Sequence, residues 1–343
     1  MRLRRQKQTG KLKLSKMAET KKIKWLAVLQ GFSMLLVVIG HISLTNQPGD
    51  PSTPIATGIE RSIYTFHMPL FIFISGWLFY YTCISRGKAY KEMLTSKVKR
   101  LVVPFLTFTF ATMVLKMAFP QLVHRVVDMN EIIDTFILFR SNPLGEMWFI
   151  IVLFELMLLY PLYRVLTKNI TLSAIGLGGT ILISLSSISI SYFNIGRVTY
   201  ILPFFVAGIL CCKYEWQKYL NNLWSLMIMA ILFTAFNVIG ILPKSADIII
   251  VSTGIAFSFS LCLMLANFWP QLFKTFRDYT FQIFLMGIFF QMAIRWIYVR
   301  LDNEMFFVPM WLMSMVIGIF VPTVIAKLIK RYAPQKVRLC FGL

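Results

Sequence analysis

The chain is a succession of long apolar blocks divided by short polar gaps. Blocks such as "WLAVLQGFSMLLVVIGHISL" and "FFVPMWLMSMVIGIFVPTVIAKLI" reach the roughly 20 residues that a helix needs to cross a bilayer. Hydrophobic residues make up 57% of the sequence and charged residues 14%, where a soluble domain carries about a quarter charged. The blocks are too long and too evenly apolar for the core of a soluble fold. The fold class is therefore all-α, a polytopic transmembrane helical bundle of about ten spans. They fall at Trp25–Leu44, Tyr64–Ile84, Leu101–Phe119, Met147–Leu166, Ile170–Ile190, Val198–Cys212, Leu223–Leu242, Ile248–Asn267, Thr280–Val299 and Phe306–Ile329. Pro203 and Pro322 are candidate helix breaks.

Charge orders these spans. The net charge is +21, which by itself suggests nucleic acid. Its distribution excludes that partner, because 10 of the 35 Lys and Arg lie in residues 1–24 and no soluble face gathers the others. The gap between the second and third spans adds Arg86, Lys88, Lys91, Lys97, Lys99 and Arg100. The alternate gaps hold only scattered cations. The positive-inside rule then puts both ends in the cytoplasm, with anionic lipid as a further attraction. The organisation is a basic cytoplasmic tail at 1–24, a membrane domain at 25–329 and a second basic cytoplasmic tail at 330–343, in a multi-pass protein of the cell membrane. No cleavable leader is expected, because residues 1–24 lack an apolar core. The five cysteines form no CxxC pair, and no metal-ligand spacing exists. The segment Pro120–Glu146, with His124 and "DMNEIID", reads as a surface helix or a lid.

Few polar residues interrupt the spans, and these are the functional candidates. His41 closes the first span and His67 opens the second. In consecutive spans of opposite direction, both imidazoles lie about one turn below the outer surface. Gln30 stands 11 residues before His41, three turns plus about 20° away, so the two share a face about 16 Å apart along the axis. Ser33 lies near the same stripe. An amide and an imidazole in hydrocarbon need partners, so this face turns into the bundle. Pro69 suits the first turn of the second span, where a missing N–H costs little. Ser75 and Gly76 let helices approach closely.

Each candidate has a plainer reading. A histidine near a span end can bond a carbonyl at the interface, which is the better account of His124. For His41 with His67, function is the better account, because ionisable groups within spans mark working sites. Glu155 lies midway along the fourth span and either pairs with Arg295 or meets substrate. Arg295 has the plainer alternative of snorkelling to the interface. Trp148 sits where aromatic belts form. Gln282 and Gln291 read as helix–helix glue.

"QGFSMLLVVIGH" followed by "YTFHMPLFIFISGWLF" resembles the acyltransferase-3 family of integral membrane acyltransferases, closest to its fucose 4-O-acetylase-like branch. Gly40-His41 and the run from Phe66 to Gly76 carry the resemblance. "MWFIIVLFELMLLYPLY", "RVTYILPFFVAGIL" and "TFQIFLMGIFF" add weaker matches, in order across residues 24–330. Three positions depart from the family pattern. Gln30 stands for a basic residue, Ala27 for an aspartate and Gly287 for a histidine.

The resemblance implies transfer of an acyl group, usually acetyl, from acetyl-CoA as co-substrate to a sugar hydroxyl of a surface polysaccharide or lipid-linked glycan. No bound cofactor is implied. His41 and His67 become the catalytic candidates. Gln30 and Ser33 become donor-binding candidates, and Ser75, Trp148, Glu155, Arg197 and Arg295 substrate-binding candidates. Imidazole can deprotonate a hydroxyl as general base or accept the acyl group as nucleophile. Two alternatives stay open: a glycan or lipid transporter or flippase, and a non-catalytic relative.

Overall fold

The structure, a computed structural model, describes residues 24–42, 44, 54–118, 145–186, 188, 190, 192–239, 242, 246–301 and 303–343. His124 and nearly all of the segment around it lie outside these. The described residues form helices and turns, with no strand among them. The helices are α1 (Lys24–Gly40), α2 (Pro54–Phe79), α3 (Tyr90–Lys97), α4 (Val103–Ala118), α5 (Trp148–Leu158), α6 (Tyr160–Leu166) and α7 (Ile170–Leu185). They continue with α8 (Ile195–Tyr214), α9 (Gln217–Leu220), α10 (Leu223–Phe233), α11 (Asp247–Phe268), α12 (Thr280–Leu301), α13 (Phe307–Tyr332) and α14 (Gln335–Cys340). Single π-turns extend α2, join α3 to α4 and extend α10.

By length and composition six helical stretches among the described residues can cross a membrane: Arg61–Ile84, Tyr90–Ala118, Tyr192–Tyr214, Asp247–Phe268, Arg277–Leu301 and Glu304–Tyr332. The bent pair α5–α6 makes a seventh. This is a multi-pass, all-α membrane protein. Lys24–Gly40, Ile170–Leu185 and Leu223–Val238 are apolar but shorter, at the places of the first, fifth and seventh expected spans. At 1.5 Å per residue, 16 or 17 residues rise about 25 Å, less than the hydrocarbon thickness of roughly 30 Å.

Prolines act differently from the sequence reading. Pro69 does not open a helix; it lies inside α2, which begins at Pro54. Pro203 and Pro322 lie inside α8 and α13, each within an unbroken span. The break falls before Pro161 instead, where α5 and α6 meet at 56°. Pro161 has no N–H for the carbonyl of Met157, and its ring crowds that carbonyl. Leu159, at the joint, has φ −74° and ψ 14°.

The chain divides into two compact units. One contains Met1–His67, Gln217–Phe284 and Ile288–Phe320. Asn222 starts its α10 by accepting the Ser225 N–H at 2.8 Å, a side-chain cap for an orphan donor. Trp25 of α1 meets Phe259 of α11 edge to face at 5.0 Å. Phe66 of α2 meets Phe233 of α10 at 5.3 Å and lies against Gly254. Asn237 Nδ2 donates to the Ser62 carbonyl at 3.1 Å. These contacts fasten α1 and the first half of α2 to α10 and α11.

The other unit contains Met68–Trp216, Leu285–Gly287 and Val321–Leu343. Asn169 caps α7, and Ser184 Oγ of α7 donates to the Tyr200 carbonyl of α8 at 2.9 Å. The second half of α2 crosses α8 backbone to backbone. A Cβ on Gly76 would stand 2.1 Å from the Phe205 carbonyl oxygen, and one on Gly208 2.0 Å from that of Phe73. Glycine is required at both positions by proximity, as at close crossings in membranes. Phe79 with Tyr160, Tyr163 and Phe205 fills the space beside the crossing. The basic C-terminal segment is no loose tail, since Phe341 packs on Phe108 at 5.4 Å.

Candidate active site

The last turn of α1 presents His41. Its backbone N–H donates to the Val37 carbonyl at 3.1 Å, and its ring Nδ1 reaches the same oxygen at 2.8 Å. A carbonyl oxygen only accepts, so Nδ1 carries the hydrogen. The neutral ring then keeps its lone pair on Nε2, pointing away from the helix backbone. His41 is half-buried.

His67 repeats this arrangement on α2. Its Nδ1 donates to the Ile63 carbonyl at 2.9 Å, fixing the same tautomer. His67 is buried at 2% exposure, and its Nε2 has no hydrogen-bond partner among the described residues. The two imidazoles meet edge to face with centroids 5.6 Å apart. Tyr64 completes the cluster, 5.7 Å from His41 and 5.1 Å from His67. Two imidazoles of fixed tautomer thus share one spot, each with a proton-accepting nitrogen free of its own helix. Such a pair can take a proton from a hydroxyl or attack an acyl carbon.

Of the other sequence candidates, Gln30, Ser33 and Arg295 belong to the unit that holds the histidines. Gln30 and Arg295 are half-buried. Ser33 is fully buried, and its hydroxyl donates to the Leu29 carbonyl at 2.7 Å, so that proton is held by its own helix.

Ser75, Trp148, Glu155 and Arg197 belong to the second unit. There Trp148 and Arg197 come together, with the guanidinium 4.6 Å above the indole centroid. Arg197 Nη1 also reaches Asn194 Oδ1 at 3.4 Å. Glu155 lies seven residues after Trp148, on the same face of α5. One of its carboxyl oxygens is buried without a hydrogen-bond partner, and it forms no ion pair among the described residues. Ser75 is half-buried beside the Gly76 crossing.

Sequence reasoning missed Tyr64. The available signal was its spacing, three residues before His67 and so on the same helical face. Gln291 does join two helices, as its place in a span suggests: its amide Nε2 donates to the Val38 carbonyl at 2.8 Å, one residue from the carbonyl that holds His41.

A family model described as an acyltransferase domain, acyltransferase-3, matches residues 23–328. The chain is also similar to nodulation protein NolL of Mesorhizobium japonicum, 29% identical over 197 residues. That match covers 55% of this chain and 48% of the relative, so this chain spans about half of that protein's length. No solved structure matches. With a family match across nearly the whole chain, the protein belongs to the acyltransferase-3 family.

Proposed function

We propose that the protein transfers an acetyl group from acetyl-CoA to a sugar hydroxyl of a surface polysaccharide or a lipid-linked glycan, as in the fucose 4-O-acetylase-like branch. The observation that carries this reading is the His41–His67 pair with both lone pairs on Nε2. In this reading His41 Nε2 takes the proton of the acceptor hydroxyl as its oxygen attacks the thioester carbonyl. The C–S bond then breaks, and the thiolate of CoA recovers the proton from the imidazolium. His67, buried beside the first ring, orients it and accepts a hydrogen bond from a second hydroxyl of the sugar through its own Nε2.

The stripe from Gln30 to His41 supplies polar groups along α1 for the donor, with half-buried Gln30 at its start. Acetyl-CoA is cytoplasmic, and with both termini on that side of the cell membrane Gln30 lies nearer the donor. Within the second unit by itself, the stacked Arg197 and Trp148, with Ser75 and Glu155, are the groups suited to hydrogen-bond and stack on a sugar.

Membranes carrying the protein, given radiolabelled acetyl-CoA and a glycan acceptor, test the reading. Label appearing on the glycan supports it. Acetyl-independent movement of the glycan across the membrane, with no label transferred, would make the protein a carrier instead.

A further inference from the structure

We propose that Gln291 is a positioning residue that fixes the terminal turn of α1 and thereby the place of the His41 ring; this rests on the reading of His41 as catalytic. The last carbonyls of any helix lack partners within it. At the end of α1 three consecutive carbonyls are met in three different ways. The Val37 oxygen accepts both the backbone N–H and the ring Nδ1 of His41. The Ile39 oxygen accepts the Ile42 N–H at 3.2 Å, in a tight three-residue turn. Val38 lies between them, and a regular helix would give its oxygen to that same Ile42 N–H. The oxygen is instead taken by Gln291 Nε2 from α12, 253 residues away in sequence.

The amide therefore holds α1 in its tightened ending. Without it, the Val38 oxygen has no other donor among the described residues in an apolar setting, which is costly. The cheapest repair is for Ile42 to swing its N–H from Ile39 back to Val38. That swing rewinds the turn containing His41. Further contacts keep the amide in place. Gln291 is 5% exposed. A Cβ on Gly318 of α13 would stand 3.1 Å from Gln291 Cγ and 3.4 Å from Nε2, so only glycine leaves the amide its present position. Ile294, three residues further along α12, packs with Ile42 and Leu44 just past the turn.

The test uses the full-length protein in membranes with two variants. Gln291→Met keeps the length of the side chain and removes the donor. Gly318→Ala keeps the donor and pushes it by a few tenths of an ångström. Two readouts are taken: the kcat and KM of acetyl transfer, and the rate at which diethyl pyrocarbonate labels His41, followed by mass spectrometry with buried His67 as internal reference. Gln291→Met should lower kcat about tenfold or more with little change in either KM. It should also label His41 severalfold faster as the turn loosens, and Gly318→Ala should shift both readouts in the same direction by less.

Wild-type kcat in Gln291→Met, or wild-type labelling of His41, overturns the assignment. Failure of both variants to accumulate would also overturn it, leaving Gln291 a structural role alone. Activity retained in His41→Ala would end the catalytic reading instead, and the labelling rate would still report whether Gln291 sets the ring.

Discussion

His41 and His67 hold their rings edge to face at 5.6 Å, and each ties its Nδ1–H to the carbonyl four residues before it. The shared device matters more than the distance. A histidine whose Nδ1–H is held by its own helix has one tautomer and one free lone pair. Two of them side by side, on helices consecutive in the chain, make a proton-accepting spot with little freedom to reorient. An acyl transfer site gains from such preorganisation, since orientation accounts for much of the barrier lowered in reactions of this kind.

If His67 orients its neighbour through chemistry rather than bulk, a ring of similar shape cannot replace it. His67→Phe preserves an aromatic edge against His41 and removes Nε2. Transfer should fall about tenfold or more with the protein still accumulating in membranes. Activity close to wild type in that variant would reduce His67 to packing.

Trp148 and Arg197 are expected to act as one unit. A guanidinium over an indole contributes about 0.5–2 kcal/mol depending on desolvation. Trp148→Ala and Arg197→Ala should each raise the acceptor KM, and the double variant should do little worse than either single one. A double-mutant cycle on KM measures this. Fully additive effects would show that the stacked pair binds nothing jointly.

The Gly76–Gly208 crossing makes a stability prediction with no reference to catalysis. In Gly208→Ala the new methyl would sit 2.0 Å from the Phe73 oxygen, so the helices must part. Overpacking of this kind costs roughly 1–3 kcal/mol. Thermal unfolding in detergent should show a lower midpoint for Gly76→Ala and Gly208→Ala, and no such drop for Gly178→Ala, where a Cβ meets nothing within 4 Å.

The helical membrane class was plain in the blocks of about 20 apolar residues, because a bilayer imposes that length directly. Which of the blocks form long helices was less plain. Val198–Cys212 reads as the shortest block, yet the helical stretch there runs 23 residues, Tyr192–Tyr214, since apolarity marks only the part a helix must hide. Proline position was a poor guide to breaks. Pro161 sits at a bend, whereas Pro69, Pro203 and Pro322 lie within helices, and tertiary packing decides between these outcomes. The meeting of His41 and His67 was legible because helices consecutive in the chain pack side by side, and the polar faces of both need partners. The bond from Gln291 to Val38 was not, because it joins residues 253 apart and no local pattern encodes which carbonyl an amide will find.

The most direct measurement of the central claim is acetyl transfer by His41→Ala in membranes where the variant accumulates as the wild type does. Removing a general base or nucleophile at the reacting atoms should cost about a hundredfold or more, leaving label on the glycan near background. Transfer at the wild-type rate would contradict the account and move the chemistry away from the paired imidazoles.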